Sequence, residues 1–210
     1  MLLLKKEIMM RKIFSTSFIG LVGYTMYKLY IPKENRLNFV FDLDSTLIHC
    51  RNDSQYENTN KNLLKNHNLA FTCEQDYKVW KRPFSSTILL ILQKFNNVHI
   101  FTARQPECAN IIIDNLFKNI HFDKKFYEEN CESCLGGKNL DIFNMDNSKI
   151  ILIDDNKSNH INKHNYFYHI YPYSFINKYD FEMIKLLGFA IVANLFGLEK
   201  TKLLYKKHVY

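Results

Sequence analysis

A short apolar run that stops at two carboxylates constrains this chain more than any other feature: Asn38-Phe39-Val40-Phe41-Asp42-Leu43-Asp44-Ser45-Thr46-Leu47. Its opening residues are β-prone and uncharged, which reads as a buried strand. A strand alternates its faces, so Asp42 and Asp44 project to one side if the strand continues. If it stops at Asp42, its end is a mouth where two acids converge, and open parallel sheets place ligands at such ends. Alone, a D-x-D pair is as readily a solvated loop, so the later stretches decide between the two.

Those stretches repeat the pattern. Val98-His99-Ile100-Phe101-Thr102 is a second apolar run ending in a hydroxyl, and Lys149-Ile150-Ile151-Leu152-Ile153-Asp154-Asp155 is a third, again ending in acids. Tyr166-Phe167-Tyr168-His169-Ile170 is a fourth. Between them, residues 85–95 read as a helix with a serine as N-cap, residues 107–117 as a helix opened by Pro106, and residues 180–195 as a closing helix. Residues 69–73 and 77–80 look like short strands, while 49–68 and 121–137 read as loops. Strands alternating with helices predict an α/β fold, a Rossmann-like parallel sheet flanked by helices, over residues 37–195.

At 210 residues and 47% apolar, the chain has material for one ordinary domain with extensions, and 15% aromatic excludes a disordered polymer. Residues 13–31 carry one charge, Lys28, and have about the ~20-residue length of a bilayer span. They follow a basic N-terminus, 1–12, and are expected to form a transmembrane or membrane-associated helix. A presequence or a helix of a soluble protein are the alternatives. Pro32 ends the segment, and a basic tail is expected over 196–210. The net charge of +7 suits anionic partners, but the lysines are scattered and no nucleic-acid motif is present, so direct nucleic-acid binding is not expected. Five cysteines, with one unpaired Cys131-Glu132-Ser133-Cys134 spacing, read as reduced thiols of a reducing compartment.

Parallel neighbours would gather Asp42/Asp44, Thr102 and Asp154/Asp155 at one sheet edge, with Lys138 just before the last pair. That set fits phosphoryl transfer through an aspartyl-phosphate: one carboxylate attacks phosphorus, and a second carries the proton. Carboxylates and a backbone carbonyl suit Mg²⁺, and a lysine with a hydroxyl suits the phosphoryl oxygens. Each residue alone has a bland reading: a strand-end threonine, a loop lysine, an acidic turn.

The ordered set resembles the haloacid-dehalogenase-type phosphatases, in the branch that includes the RNA polymerase II C-terminal-domain phosphatases (FCP1-like). Asp42-Leu43-Asp44-Ser45-Thr46-Leu47-Ile48-His49 resembles the first motif, Lys81-Arg82-Pro83 the basic-Arg-Pro motif, and Phe101-Thr102-Ala103 the second. Phe126-Tyr127-Glu128-Glu129-Asn130-Cys131 resembles the stretch before the family's lysine. Lys138-Asn139-Leu140 and Ile151-Leu152-Ile153-Asp154-Asp155-Asn156 resemble the third and fourth motifs. The resemblance implies Asp42 as nucleophile and Asp44 as general acid/base. It implies Mg²⁺ held by Asp42, the Asp44 carbonyl and Asp155. It also implies phosphoryl binding by Thr102 and Lys138, Asp154 holding Lys138 or a metal-bound water, Thr46 orienting Asp44, and Arg82 at the substrate.

Two positions depart from the family pattern. Phe84 stands where many relatives have Gly, and Glu128 where many have an Arg that contributes to substrate recognition. Within the branch, the chain looks most like the Dullard-like phosphatases of the nuclear envelope and endoplasmic reticulum. These act on phosphoserine and phosphothreonine of proteins, and the resemblance implies a phosphoprotein substrate and a regulatory membrane subunit as partners. The alternatives are a Tim50-like subunit of the mitochondrial inner-membrane translocase, whose members often lack the nucleophile pair kept here, and a soluble small-molecule phosphatase.

Overall fold

The computed structural model describes residues 32–52, 69–73, 77–132, 137–161, 165–176 and 179–209. The expected membrane helix at 13–31, the basic N-terminus and residues 53–68 of the expected loop lie outside them. Among the described residues, no helix is long and apolar enough to cross a membrane. The chain divides into two compact units, 1–35 and 36–210. Of the first, residues Lys33–Asn35 form a single 3-10 turn.

The second unit is built on a five-stranded parallel sheet. Its strands are β1 (Asn38–Phe41), β5 (Asn97–Phe101), β6 (Lys125–Phe126), β7 (Ile150–Asp154) and β8 (Tyr166–His169). Their spatial order is β6-β5-β1-β7-β8. The chain runs outward from β1 through β5 to β6, then returns to β7 on the other side of β1. The connections therefore diverge at the carboxyl end of β1, the place where open α/β sheets form a ligand crevice. The sequence accounts for the central position of β1: Phe39, Val40 and Phe41 are uncharged and fully buried, so both faces of the strand can be covered.

The two faces are covered differently. Phe39, Phe41, Ile100, Ile151 and Ile153 pack on helices α1 (Ser85–Phe95), α2 (Pro106–Leu116) and α3 (Glu182–Phe196), through residues such as Leu89, Ile113 and Phe189. Val40, Leu152 and Phe167 instead meet Leu140 and Phe143 of a 3-10 turn. The expectation of helices flanking the sheet therefore holds for one face, and short turns close the other.

Three expectations about local structure are corrected. Residues 49–52 are not loop: Ile48–Asn52 form β2, paired antiparallel with β4 (Tyr77–Lys81), which also pairs with β3 (Leu69–Cys73). No serine caps α1; Ser85 is its first residue, and its hydroxyl donates to the Arg82 carbonyl at 2.8 Å. The N-cap is Phe84, in the left-handed region at φ 63°. A Cβ-bearing residue there costs about 1–2 kcal/mol, which explains why glycine suits this position in relatives. Its ring stacks on Phe181 at 6.4 Å. Finally, the stretch expected as a basic tail is folded. Helix α4 (Leu198–Leu204) buries Leu198 and Thr201, and Val209 bridges to Tyr168 of β8.

Candidate active site

The sheet delivers its strand ends to one edge. Asp42 follows β1, and its N–H donates to Ile153 of β7 at 3.0 Å, so the parallel ladder runs one residue past the strand. The next turn is tight. The Leu43 carbonyl accepts from Thr46, Leu47 and Ile48, and Ser45 takes a left-handed φ of 56°. Leu43 is fully buried while its two acidic neighbours face the mouth, Asp44 with a side chain 42% exposed. Thr102, fully buried, follows β5; Asp154 closes β7 and Asp155 comes next.

Lys138 joins these ends. Its ammonium lies 2.6 Å from Asp42 Oδ1 and 2.6 Å from Asp154 Oδ2, with no exposed side-chain surface. Its N–H donates to the Asn159 carbonyl. A Cβ at the preceding Gly137 would meet Ile161 Cδ1 at 2.2 Å, so a side chain there would have to displace that exposed isoleucine. Asp154 is fixed in turn by the N–H of Asn156, at 2.8 Å, and the side-chain amide of Asn159, at 3.0–3.1 Å. Lys138 is therefore buried between two carboxylates. Burial pushes its pKa down, but the two negative charges prevail and hold it above the usual lysine range.

The acids respond in the opposite sense. Burial pushes the Asp42 carboxyl up to about 8; the charges of Asp154 and Asp44 act the same way, against the pull of Lys138. Burial and Asp154 together push Asp155 up to about 6, against a hydrogen bond from the Thr46 hydroxyl. Asp42, Asp154 and Asp155 each offer a carboxylate oxygen, and these oxygens lie within 4.8 Å of one another. A cluster of oxygen donors with more negative charge than Lys138 neutralises fits a hard divalent cation such as Mg²⁺.

Several expected roles change. Thr46 does not orient Asp44; its hydroxyl donates to Asp155 Oδ1 at 3.3 Å. Arg82 is not open to a substrate. It is 1% exposed, pairs with Asp180 at 2.9 Å, and donates to the carbonyls of Thr46 at 2.7 Å and Tyr171 at 2.5 Å. It is a positioning residue, clamping the turn that carries Asp44. Thr102 accepts the Arg104 N–H on its hydroxyl oxygen at 3.2 Å, leaving its own hydroxyl proton to donate. Among the described residues, Cys50, Cys108 and Cys131 are not in disulfides.

Two contributors are missed from sequence. Arg104 grips Asp44 with both arms, Nε to Oδ2 at 2.6 Å and Nη2 to Oδ1 at 2.5 Å. A cation two residues beyond a strand-end hydroxyl was the available signal. Asn159 lies three residues past the fourth motif, and only the folded turn shows it returning to Asp154.

The family model for NLI interacting factor-like phosphatases matches residues 37–199. The chain is 28% identical over 134 residues to the CTD small phosphatase-like protein 2 of Dictyostelium discoideum, a match covering 59% of this chain and 22% of that protein. It is 26% identical over 153 residues to the CTD nuclear envelope phosphatase 1 of Xenopus tropicalis, covering 64% and 60% respectively. It thus spans less than two thirds of the length of either relative. Its fold is similar to that of Fcp1, an essential RNA polymerase II CTD phosphatase, with a TM-score of 0.54 at 20% identity, over 89% of this chain and 56% of that one.

Proposed function

The chain belongs to the NLI interacting factor-like phosphatase family, and from that membership we propose that it is a membrane-associated, Mg²⁺-dependent phosphoserine/phosphothreonine protein phosphatase. The observation that carries this reading is the Lys138 ammonium held 2.6 Å from each of two carboxylates at adjacent strand ends. With Oδ1 of Asp42 engaged by Lys138, Oδ2 is the attacking atom. It forms a bond to phosphorus as the ester P–O bond breaks, and Asp44 gives its proton to the leaving oxygen. Water then attacks phosphorus, Asp44 takes its proton, and the Asp42–phosphorus bond breaks to release inorganic phosphate. Lys138 and the Thr102 hydroxyl neutralise charge on the phosphoryl oxygens. Asp42, Asp155 and the Asp44 carbonyl would hold Mg²⁺, which would supply further positive charge and favour the ionised form of Asp42.

The full-length chain in detergent is expected to hydrolyse para-nitrophenyl phosphate and phosphoserine peptides with Mg²⁺, and to stop on addition of EDTA. A second readout follows from the raised carboxyls. Unfolded aspartates ionise near 3.8, whereas the folded Asp155 and Asp42 hold their protons up to about 6 and about 8. The unfolded state therefore binds fewer protons across that window, and metal-free stability falls as pH rises through it. Mg²⁺ should accordingly raise the melting temperature more at about pH 8 than at about pH 5, where the protons block the ligands. Turnover undiminished in EDTA, or a Mg²⁺ shift equal at both pH values, would contradict the metal assignment.

The membrane part of the proposal has separate support: the apolar stretch 13–31 and the similarity to a relative named as a nuclear envelope phosphatase. The chain should remain with membranes through carbonate extraction and stain the nuclear envelope and endoplasmic reticulum. Its release into the supernatant would remove this part and leave the chemistry untouched.

A further inference from the structure

The two buried or half-buried arginines near the mouth are used differently. Arg82 is 1% exposed and its nitrogens are committed to Asp180 and to the backbone carbonyls of Ser45, Thr46 and Tyr171. Arg104 has a side chain 25% exposed. Its Nε and one Nη2 hydrogen go to Asp44, and its guanidinium makes no other hydrogen bond among the described residues. Three N–H groups thus remain to receive a further anion. Its backbone is fixed at both ends, the N–H donating to Thr102 Oγ1 and the carbonyl accepting from Glu128. Movement is left to the side chain alone.

The pairing obstructs the chemistry. Asp44 must place an oxygen against the leaving oxygen of the ester, and both of its oxygens are engaged by one guanidinium. A bidentate arginine–carboxylate pair is among the stronger polar contacts a protein makes, so it opens readily only in exchange for an equivalent partner. In the phosphatase reading the phosphoryl group being transferred is received by Lys138 and the Thr102 hydroxyl, and so is not the partner for Arg104. The partner must come from the substrate next to the leaving oxygen, where the chain flanking a phosphoserine or phosphothreonine passes Asp44.

We propose that Arg104 is a substrate-operated latch: it holds Asp44 in the free protein, and an acidic side chain flanking the phosphorylated residue draws it off and frees Asp44 for the leaving oxygen. The inference rests on the phosphatase reading above and adds the substrate class, phosphopeptides with a neighbouring Glu or Asp. Arg104 is then a specificity-determining residue.

The test measures kcat and KM for the full-length chain with Mg²⁺ on para-nitrophenyl phosphate and on two phosphoserine peptides that differ only in one flanking residue, Glu or Gln. The wild-type chain should favour the Glu peptide by about tenfold in kcat/KM, the worth of one charge-assisted pair. In Arg104→Ala the preference should fall to about one, while kcat on para-nitrophenyl phosphate, which has no flanking anion, rises several-fold because Asp44 is released. Arg104→Lys, which keeps the charge without the fork, should retain part of the preference and carries the test if the alanine variant melts early. Equal wild-type rates on both peptides would overturn the latch. So would loss of kcat on all three substrates alike in Arg104→Ala and Arg104→Lys, which would make Arg104 a fixed support for Asp44. No turnover of any substrate by the wild-type chain would instead remove the phosphatase reading, and the latch with it.

Discussion

Asp42→Asn should abolish turnover, by about 10⁴-fold or more, without unfolding the chain. The amide keeps the size of the carboxyl, and its oxygen still accepts from Lys138. On the proposed mechanism, what it loses is the ability to attack phosphorus. The fold tolerates the change because the site resists ionising Asp42: burial and neighbouring carboxylates push it up to about 8. A neutral side chain there relieves repulsion with Asp154, so the melting temperature of the metal-free protein should stay level or rise. Residual activity above a hundredth of wild type, in a variant that melts normally, would mean that another group attacks phosphorus; the figure is an order-of-magnitude threshold of about 10⁻².

Lys138→Met makes the opposite trade, and its largest effect is on stability. The ammonium has no exposed side-chain surface and neutralises Asp42 and Asp154 together. Removing it leaves the buried Asp154 carboxylate without its countercharge, which costs about 3–5 kcal/mol. For a domain of this size that is a fall of roughly 10 °C in melting temperature. The loss should grow above about pH 8, where the Asp42 carboxyl gives up its proton and faces Asp154 as a second unpaired buried charge. A second substitution, Asp154→Asn, should return part of the stability, since the two residues are coupled through one contact. Activity should remain at background in both variants. A Lys138→Met protein that melts like wild type in metal-free buffer at neutral pH would contradict the charge accounting of the site.

The parts of this site that could be read from sequence are those whose cause is local. The apolar runs before Asp42, Thr102 and Asp154 had to be buried strands, and strands that alternate with helices had to lie parallel, which brings their ends to one edge. Lys138 entered through its place before the last acidic pair, and the sheet gives it two partners there. The parts that could not be read depend on contacts distant in sequence. Arg82 finds Asp180 across 98 positions and Arg104 finds Asp44 across 60, so neither pairing leaves a local trace. Strand β2 carries the polar mixture Ile48-His49-Cys50-Arg51-Asn52 and is a strand because β4 pairs with it, a case of context overriding propensity. Strand β6 has two residues, too few to show a period. Helix α4 was hidden by its lysines, although Leu198 and Thr201 bury one side of it.

Asp42 is the group proposed to accept the phosphoryl. The most direct test is mass spectrometry of peptides from the full-length chain quenched in acid during turnover of para-nitrophenyl phosphate. A phosphoryl group on the peptide carrying Asp42, chased off when substrate is exhausted and missing in Asp42→Asn, is the expected result. Steady turnover with that peptide unmodified at every time point would contradict it.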